Sequence, residues 1–161
     1  MLQFHPLPPV WNDKSRILIL GSFPSVRSRE AGFYYAHPQN RFWPVLAQVF
    51  CSADIPQGTE NRRKFALEHG VALWDVISSC EITGSSDASI RNAVPNDIRF
   101  LLENTPIQMI CCNGGRAHQL YCRYQFKSTG REALLLPSTS PANASWSLDR
   151  LAEAWRIITP D

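Results

Sequence analysis

The chain alternates between short apolar runs and amphipathic stretches. Residues 16–20 closed by Gly21, residues 71–74 continuing into Val76 and Ile77, residues 107–112 and residues 133–136 are the apolar runs. A strand that is apolar at successive positions is covered on both faces, so these runs predict buried strands of a parallel sheet. Between them the apolar positions recur with helical spacing. Phe42, Val45, Leu46, Val49 and Phe50 form one face, with Asn40 ahead of them as an N-cap and Pro44 in the first turn, where backbone donors are unpaired anyway. Further helices are predicted over residues 60–68 with Gly70 as the stop, and around Ile98, Leu101 and Leu102 between Pro95 and Pro106. Another follows Gly115, with Ala117, Leu120, Tyr121 and Tyr124 on one side. The last begins near Ser147 and carries Leu148, Leu151, Ala152, Trp155 and Ile158 on its buried stripe.

Strand and helix therefore alternate, which predicts a three-layer α/β/α sandwich around a mainly parallel four-stranded sheet. Residues 1–161 are expected to form a single domain, with residues 1–15, rich in proline at Pro6, Pro8 and Pro9, running extended over the surface. In such sheets ligands bind beyond the carboxyl ends of the strands. Residues 21–25, 78–89, 113–115 and 137–142 fall there, and all are rich in Gly, Ser, Asn or Pro.

Composition narrows the class. Of 161 residues, 44% are hydrophobic and 19% charged, which excludes a disordered tail. No apolar run approaches the length needed to span a bilayer, so no membrane partner is expected. The first six residues lack the blocks of a signal peptide, and a cytoplasmic location is expected. The formal charge of +2 permits a DNA partner without demanding one. Cys51, Cys80, Cys111, Cys112 and Cys122 show no metal-ligand spacing, so they read as reduced, mostly buried thiols, and neither metal nor cofactor is expected.

The richest stretch runs from Gly32 to Trp43, with five aromatic residues flanked by Arg27, Arg29 and Arg41. Phe42 and Trp43 read as core. Tyr34 and Tyr35 lie in a loop, where a tyrosine beside arginines offers a stacking face for a planar base. His37 orders the loop, Arg62-Arg63-Lys64 reads as a solvated helix face, and Asp75 is either a pocket carboxylate or a buried hydrogen-bond acceptor. With no paired rim carboxylates, no nucleophile elbow and no Walker loop, an ordinary glycosidase, serine hydrolase or NTPase is disfavoured.

Three strings occur in order: Gly21-Ser22-Phe23-Pro24-Ser25, then residues 33–43 with His37-Pro38-Gln39-Asn40-Arg41-Phe42-Trp43, then Leu136-Pro137-Ser138-Thr139-Ser140-Pro141-Ala142. Together they resemble the uracil-DNA glycosylase superfamily, and most closely its hypoxanthine-DNA (deoxyinosine) glycosylase branch. The resemblance implies that fold and a monofunctional, cofactor-free hydrolysis of the bond joining a deaminated base to deoxyribose. The implied partner is DNA containing deaminated bases, with the enzyme a monomer. Hypoxanthine is the implied target and uracil a further one. Mismatch-specific relatives carry an asparagine where this chain has Phe23, which moves the water-positioning amide to Asn40.

Asn40 thus has two readings. As a cap, its oxygen accepts a helix N–H. As the catalytic residue, that oxygen holds a water beneath the anomeric carbon; a weak nucleophile suffices if the sugar already resembles an oxocarbenium ion, and placement supplies most of the acceleration. Backbone donors of the Ser22–Phe23 turn are expected to stabilise the departing base. Phe23 and Tyr35 would wall the base pocket, while Asn113 would bond to a base edge or cap the following helix. Pro137, Ser138, Thr139, Ser140, Pro141 and Ala142 would engage the DNA strand, as extrusion of a base requires something to fill the gap. Small hydroxyls and backbone donors can approach phosphates without large charge, so modest affinity and a shallow salt dependence are expected. Two rivals stay open: a reader that binds flipped bases without cutting, and a hydrolase of free nucleosides or nucleotides.

Overall fold

The computed structural model describes residues 2–84 and 87–159. Its strands are β1 (Leu2–Phe4), β2 (Ile17–Gly21), β3 (Val71–Asp75), β4 (Ile77–Glu81), β5 (Arg91–Pro95), β6 (Met109–Asn113) and β7 (Leu134–Leu136). Its α-helices are α1 (Val26–Ala31), α2 (Phe42–Val49), α3 (Thr59–Glu68), α4 (Ile98–Asn104), α5 (Gly115–Tyr124), α6 (Phe126–Thr129) and α7 (Leu148–Trp155). β2, β3, β6 and β7 form a parallel sheet in the order β3-β2-β6-β7.

The period of two along β2 divides the core. Ile17 and Ile19 point into one cluster with Leu73, Cys111, Phe42, Leu46, Leu151 and Trp155. Leu18 and Leu20 point into the other with Ala72, Cys112, Ile98, Leu101, Leu120 and Tyr121. Helices α2 and α7 therefore cover one face and α4 and α5 the other, which is the three-layer arrangement expected.

The structure differs from the pattern reading in several places. The run across residues 71–77 is two strands: after Asp75 the chain leaves the parallel sheet, and β4 pairs antiparallel with β1 and β5 in a second sheet, order β1-β4-β5. Part of the expected rim segment 78–89 is therefore strand, and residues 85 and 86 lie outside the described residues. β5 carries little apolar patterning and α1 is short and polar, so neither showed. The N-terminal segment is anchored rather than draped: Leu7 and Val10 are buried, and Val10 exchanges both backbone hydrogen bonds with Leu73 at 2.9 Å. This covers the open edge of β3.

Candidate active site

Where β2, β3, β6 and β7 end, a cavity of about 400 Å³ opens, a size usual for small-ligand pockets. Its walls come from the turn after β2, the loop before α2, the ends of β3 and β6, and the loop after β7. A larger and more open hollow of about 700 Å³ lies at the opposite end of the sheet, beside Arg16 and Gly70. It gathers none of the rim motifs.

Ser22, Phe23, Tyr35, Asn40, Asn113, Ser138, Thr139, Ser140, Pro141 and Ala142 all line the rim cavity, whereas Pro137 does not. The turn after β2 is held from beneath, because the Gly21 and Ser22 carbonyls accept the Val76 and Ile77 N–H groups at 2.8 and 3.1 Å. Phe23 is buried in the second core cluster and also lines the cavity. The Arg29 guanidinium lies 5.4 Å from its ring centre. Tyr35 takes a left-handed backbone (φ 54°) and stacks on Phe42 with ring centres 4.0 Å apart. Its neighbour differs from expectation. Tyr34 is core, with its hydroxyl donating to the Pro8 carbonyl at 2.9 Å, and burial, followed by the charge of Asp75, raises its phenol well above the ordinary range.

Asn40 is tied on one side. Its Oδ1 accepts the Phe42 N–H at 2.9 Å and the Thr139 hydroxyl at 2.8 Å. The formal N-cap position is Arg41, so Asn40 braces the helix start from one residue outside it. The oxygen expected to hold a water already has two protein donors. Its amide nitrogen meets no protein acceptor among the described residues and is the group left for solvent.

Thr139 departs furthest from its expected role. It is 0% exposed, so its side chain cannot reach a phosphate. Its hydroxyl accepts from Asn113 Nδ2 at 3.0 Å while donating to Asn40, its N–H donates to Asn113 Oδ1 at 3.0 Å, and its carbonyl accepts the Arg41 N–H at 3.0 Å. Asn113 is thereby a clamp on Thr139. It does not cap α5, whose N-cap is Gly114, and one amide N–H remains for a ligand. Gly114 is required at this crossing: it sits at φ 99°, and a Cβ there would lie 3.1 Å from the Ser138 Cβ.

The loop after β7 is built of serine turns. Ser138 Oγ accepts the Ser140 N–H and Ser140 Oγ accepts the Ala142 N–H, each at 3.1 Å, leaving Ala142 exposed at the tip. Asn143 Nδ2 donates to the Ser138 carbonyl at 3.0 Å. Arg41, at the start of α2, pins the loop, its guanidinium donating to the carbonyls of Trp146, Ser140 and Asn143. His37 orders its own loop, Nδ1 accepting the Gln39 N–H at 3.0 Å and its carbonyl accepting the Asn40 N–H at 2.9 Å.

Pattern reading missed two groups. Arg41 stands in the sequence only as a flank of the aromatic stretch, but its three acceptors lie about a hundred residues away. His5 reads as part of an unremarkable N-terminus, yet its Nε2 meets Asp75 Oδ2 at 2.7 Å across 70 residues, behind the cavity wall. No local signal marks such a pair. Among the described residues, no group of three or more His, Cys, Asp and Glu side chains could hold a metal.

A family model described as the uracil DNA glycosylase superfamily matches residues 8–159. A protein of Methanosarcina acetivorans named hypoxanthine DNA glycosylase is 32% identical over 154 residues, 94% of each chain. One of the same name from Methanosarcina barkeri is 30% identical over 84% of this chain and 85% of its own. A solution NMR structure from M. acetivorans, with a provisional uracil DNA glycosylase assignment, superposes with a TM-score of 0.80 at 30% identity, covering 98% of this chain and 99% of that one.

Proposed function

This chain belongs to the uracil DNA glycosylase superfamily, and from that premise we propose that it hydrolyses the N-glycosidic bond of hypoxanthine in DNA, and of uracil more weakly, leaving an abasic site. The names of its relatives support the substrate class. The observation that carries the reading for this chain is the union of three distant motifs, Asn40, Asn113 and residues 138–142, in one cavity at the carboxyl ends of the strands.

In this reading a base leaves the duplex and enters between Phe23 and Tyr35. As its bond to the sugar breaks, the positive charge developing on the sugar removes the need for a strong nucleophile. Asn40 supplies position. With its plane set by Phe42 and Thr139, its amide N–H donates to one lone pair of a water, and the other lone pair faces the anomeric carbon. The backbone of the Ser22–Phe23 turn and the remaining N–H of Asn113 receive the charge that collects on the leaving base. Ser138, Ser140, Pro141 and Ala142 approach the strand, and their modest polarity implies a shallow salt dependence. Pro137 and Thr139 support that loop from inside: the Pro137 carbonyl accepts the Trp155 indole N–H at 3.0 Å.

The test is a panel of labelled oligonucleotides, each with one lesion, scored for scission after alkali. Cleavage is expected at deoxyinosine in DNA, with free deoxyinosine untouched. Asn40→Ala is expected to lower turnover by roughly 10²–10⁴-fold. Tight binding without an alkali-labile site, or hydrolysis of the free nucleoside alone, would overturn the reading. Turnover that survives Asn40→Ala while melting temperature falls would reduce Asn40 to a brace.

A further inference from the structure

The hollow of about 700 Å³ at the other end of the sheet, where β2 and β3 begin, is used by nothing in the glycosylase reading. Four cationic side chains, Lys14, Arg16, Arg63 and Lys64, line it against two carboxylates, Glu60 and Glu68. Lys64 and Glu68 lie 3.9 Å apart on α3. Among the described residues, no carboxylate comes within ion-pairing distance of Lys14, Arg16 or Arg63. Both arginines are nevertheless placed. The Arg16 N–H donates to the Gly70 carbonyl and the Arg16 carbonyl accepts the Gln108 N–H, each at 2.9 Å. Its side chain lies across Gly70, where a Cβ would stand 3.1 Å from both Cγ and Nε. Glycine at this left-handed position (φ 72°) leaves the guanidinium a bed against the backbone. Arg63 is half-buried and lies 5.1 Å from the centre of the Phe33 ring, as Arg62 lies 5.6 Å from that of Trp43. The Arg62-Arg63-Lys64 run is therefore only in part a solvated helix face.

One wall of the hollow is aromatic. His69 packs against Phe50 and Phe65, with ring centres 4.5 and 4.4 Å away, and both His69 and Phe50 line the hollow half-buried. The His69 Nδ1 donates to the Phe65 carbonyl at 2.8 Å. A carbonyl can only accept, so in the neutral ring Nδ1 carries the proton and Nε2 keeps a bare lone pair. The end of α3 does not present open carbonyls to an anion here: those of Phe65, Ala66 and Leu67 accept the N–H groups of His69 and Gly70.

We propose that this hollow binds a nucleoside diphosphate, with its phosphates on Lys14, Arg16 and Arg63 and its base against Phe50 and His69. Three cations without carboxylate partners suit a ligand carrying several negative charges, and guanidinium forks match phosphate oxygens in pairs. Glu60 and Glu68 both stand on α3, so the phosphates belong on the side of Lys14 and Arg16, with Arg63 as the third contact. A planar base finds a ring face at Phe50 and an acceptor at His69 Nε2, which takes an amino N–H of the base. Inorganic phosphate would leave the aromatic wall unused, and a free nucleoside would leave the cations unused. The hollow is of a size usual for small-ligand sites. Five residues of β2, about 17 Å, separate it from the rim, so the site is independent of the glycosylase reading.

The test is calorimetric titration of the unaltered protein with ADP, inorganic pyrophosphate and adenosine, with backbone amide NMR to locate the contact. ADP is expected to bind saturably, about tenfold or more tighter than either fragment. Amide shifts are expected at residues 14–16 and 60–70, with the rim turn 21–25 and the loop 138–142 unmoved. Arg16→Gln and Arg63→Gln each remove a guanidinium from phosphate and are expected to weaken ADP by about ten- to a hundredfold, while deoxyinosine cleavage stays as it was. Lys14→Gln changes an exposed side chain, so it tests the same contact without disturbing the core, and it is expected to weaken ADP in the same direction. No saturable ADP binding, shifts confined to the rim, pyrophosphate binding as tightly as ADP, or unchanged ADP affinity in the three variants would overturn the inference. All four outcomes leave the glycosylase reading intact, and failure of the unaltered protein to cleave deoxyinosine would remove that reading without touching this site.

Discussion

Replacing Thr139 with valine removes one oxygen from the centre of the site at nearly constant volume. That oxygen accepts from Asn113 and donates to Asn40, at 3.0 and 2.8 Å, in a residue without solvent contact. The two losses are unequal. Asn40 Oδ1 keeps the Phe42 N–H and stays satisfied, but one Asn113 N–H is stranded. A stranded buried donor costs about 1–3 kcal/mol and an ordinary net hydrogen bond about 1 kcal/mol, so Thr139→Val should destabilise by about 2–3 kcal/mol. For a chain of this size that lowers the melting temperature by roughly 4–12 °C. Thr139→Ser is the control: it retains the hydroxyl and loses one buried methyl, about 0.8 kcal/mol. Turnover should separate the pair further. With its amide plane no longer fixed, Asn40 places water less well, and Thr139→Val should lose about ten- to a hundredfold in single-turnover rate at a temperature where it is fully folded. Serine should stay near the unaltered rate. Thermal unfolding and single-turnover cleavage of a deoxyinosine duplex measure both. Equal melting of the two variants, or a destabilised valine variant with full turnover, would refute the claim that this hydroxyl sets Asn40.

Three other outcomes follow from the structure. Arg41→Lys keeps the charge but cannot fork to the three carbonyls of Trp146, Ser140 and Asn143; amide hydrogen exchange across residues 138–146 should accelerate and duplex affinity should fall while the strands stay protected. Burial pushes the Cys111 and Cys112 thiols from 9.0 up to about 12, with the neighbouring cysteines adding to the shift at Cys112. The native state then holds protons that the unfolded chain releases. Their contribution is fully present below about pH 9 and is lost as pH rises towards about 12, which denaturant titrations across that window should show. At pH 8 a thiol reagent should label the exposed Cys51 and Cys122 and spare Cys80, Cys111 and Cys112 in the folded protein.

Most of the architecture was legible along the chain, because a buried parallel strand and an amphipathic helix are periodic and their periods differ. The runs at β2, β3, β6 and β7 and the stripes of α2, α4, α5 and α7 carry that signal in residues a few positions apart. The family strings were legible for a related reason: each is a contiguous turn whose chemistry depends on local order. What stayed hidden depends on distance. β5 lacks apolar alternation because it is a mostly exposed edge strand of the small sheet. Asp75 could be weighed only as pocket or core until the fold showed it to be both, with His5 behind it and Gly21 leaving it room. Thr139 was expected as a DNA contact because the family resemblance makes its loop the one that engages the strand; only the packed structure turns its hydroxyl inward, to Asn113 and Asn40. Hydrophobic periodicity is written into neighbouring residues, whereas a polar group finds its partner only after the sheet has brought remote strand ends to one rim.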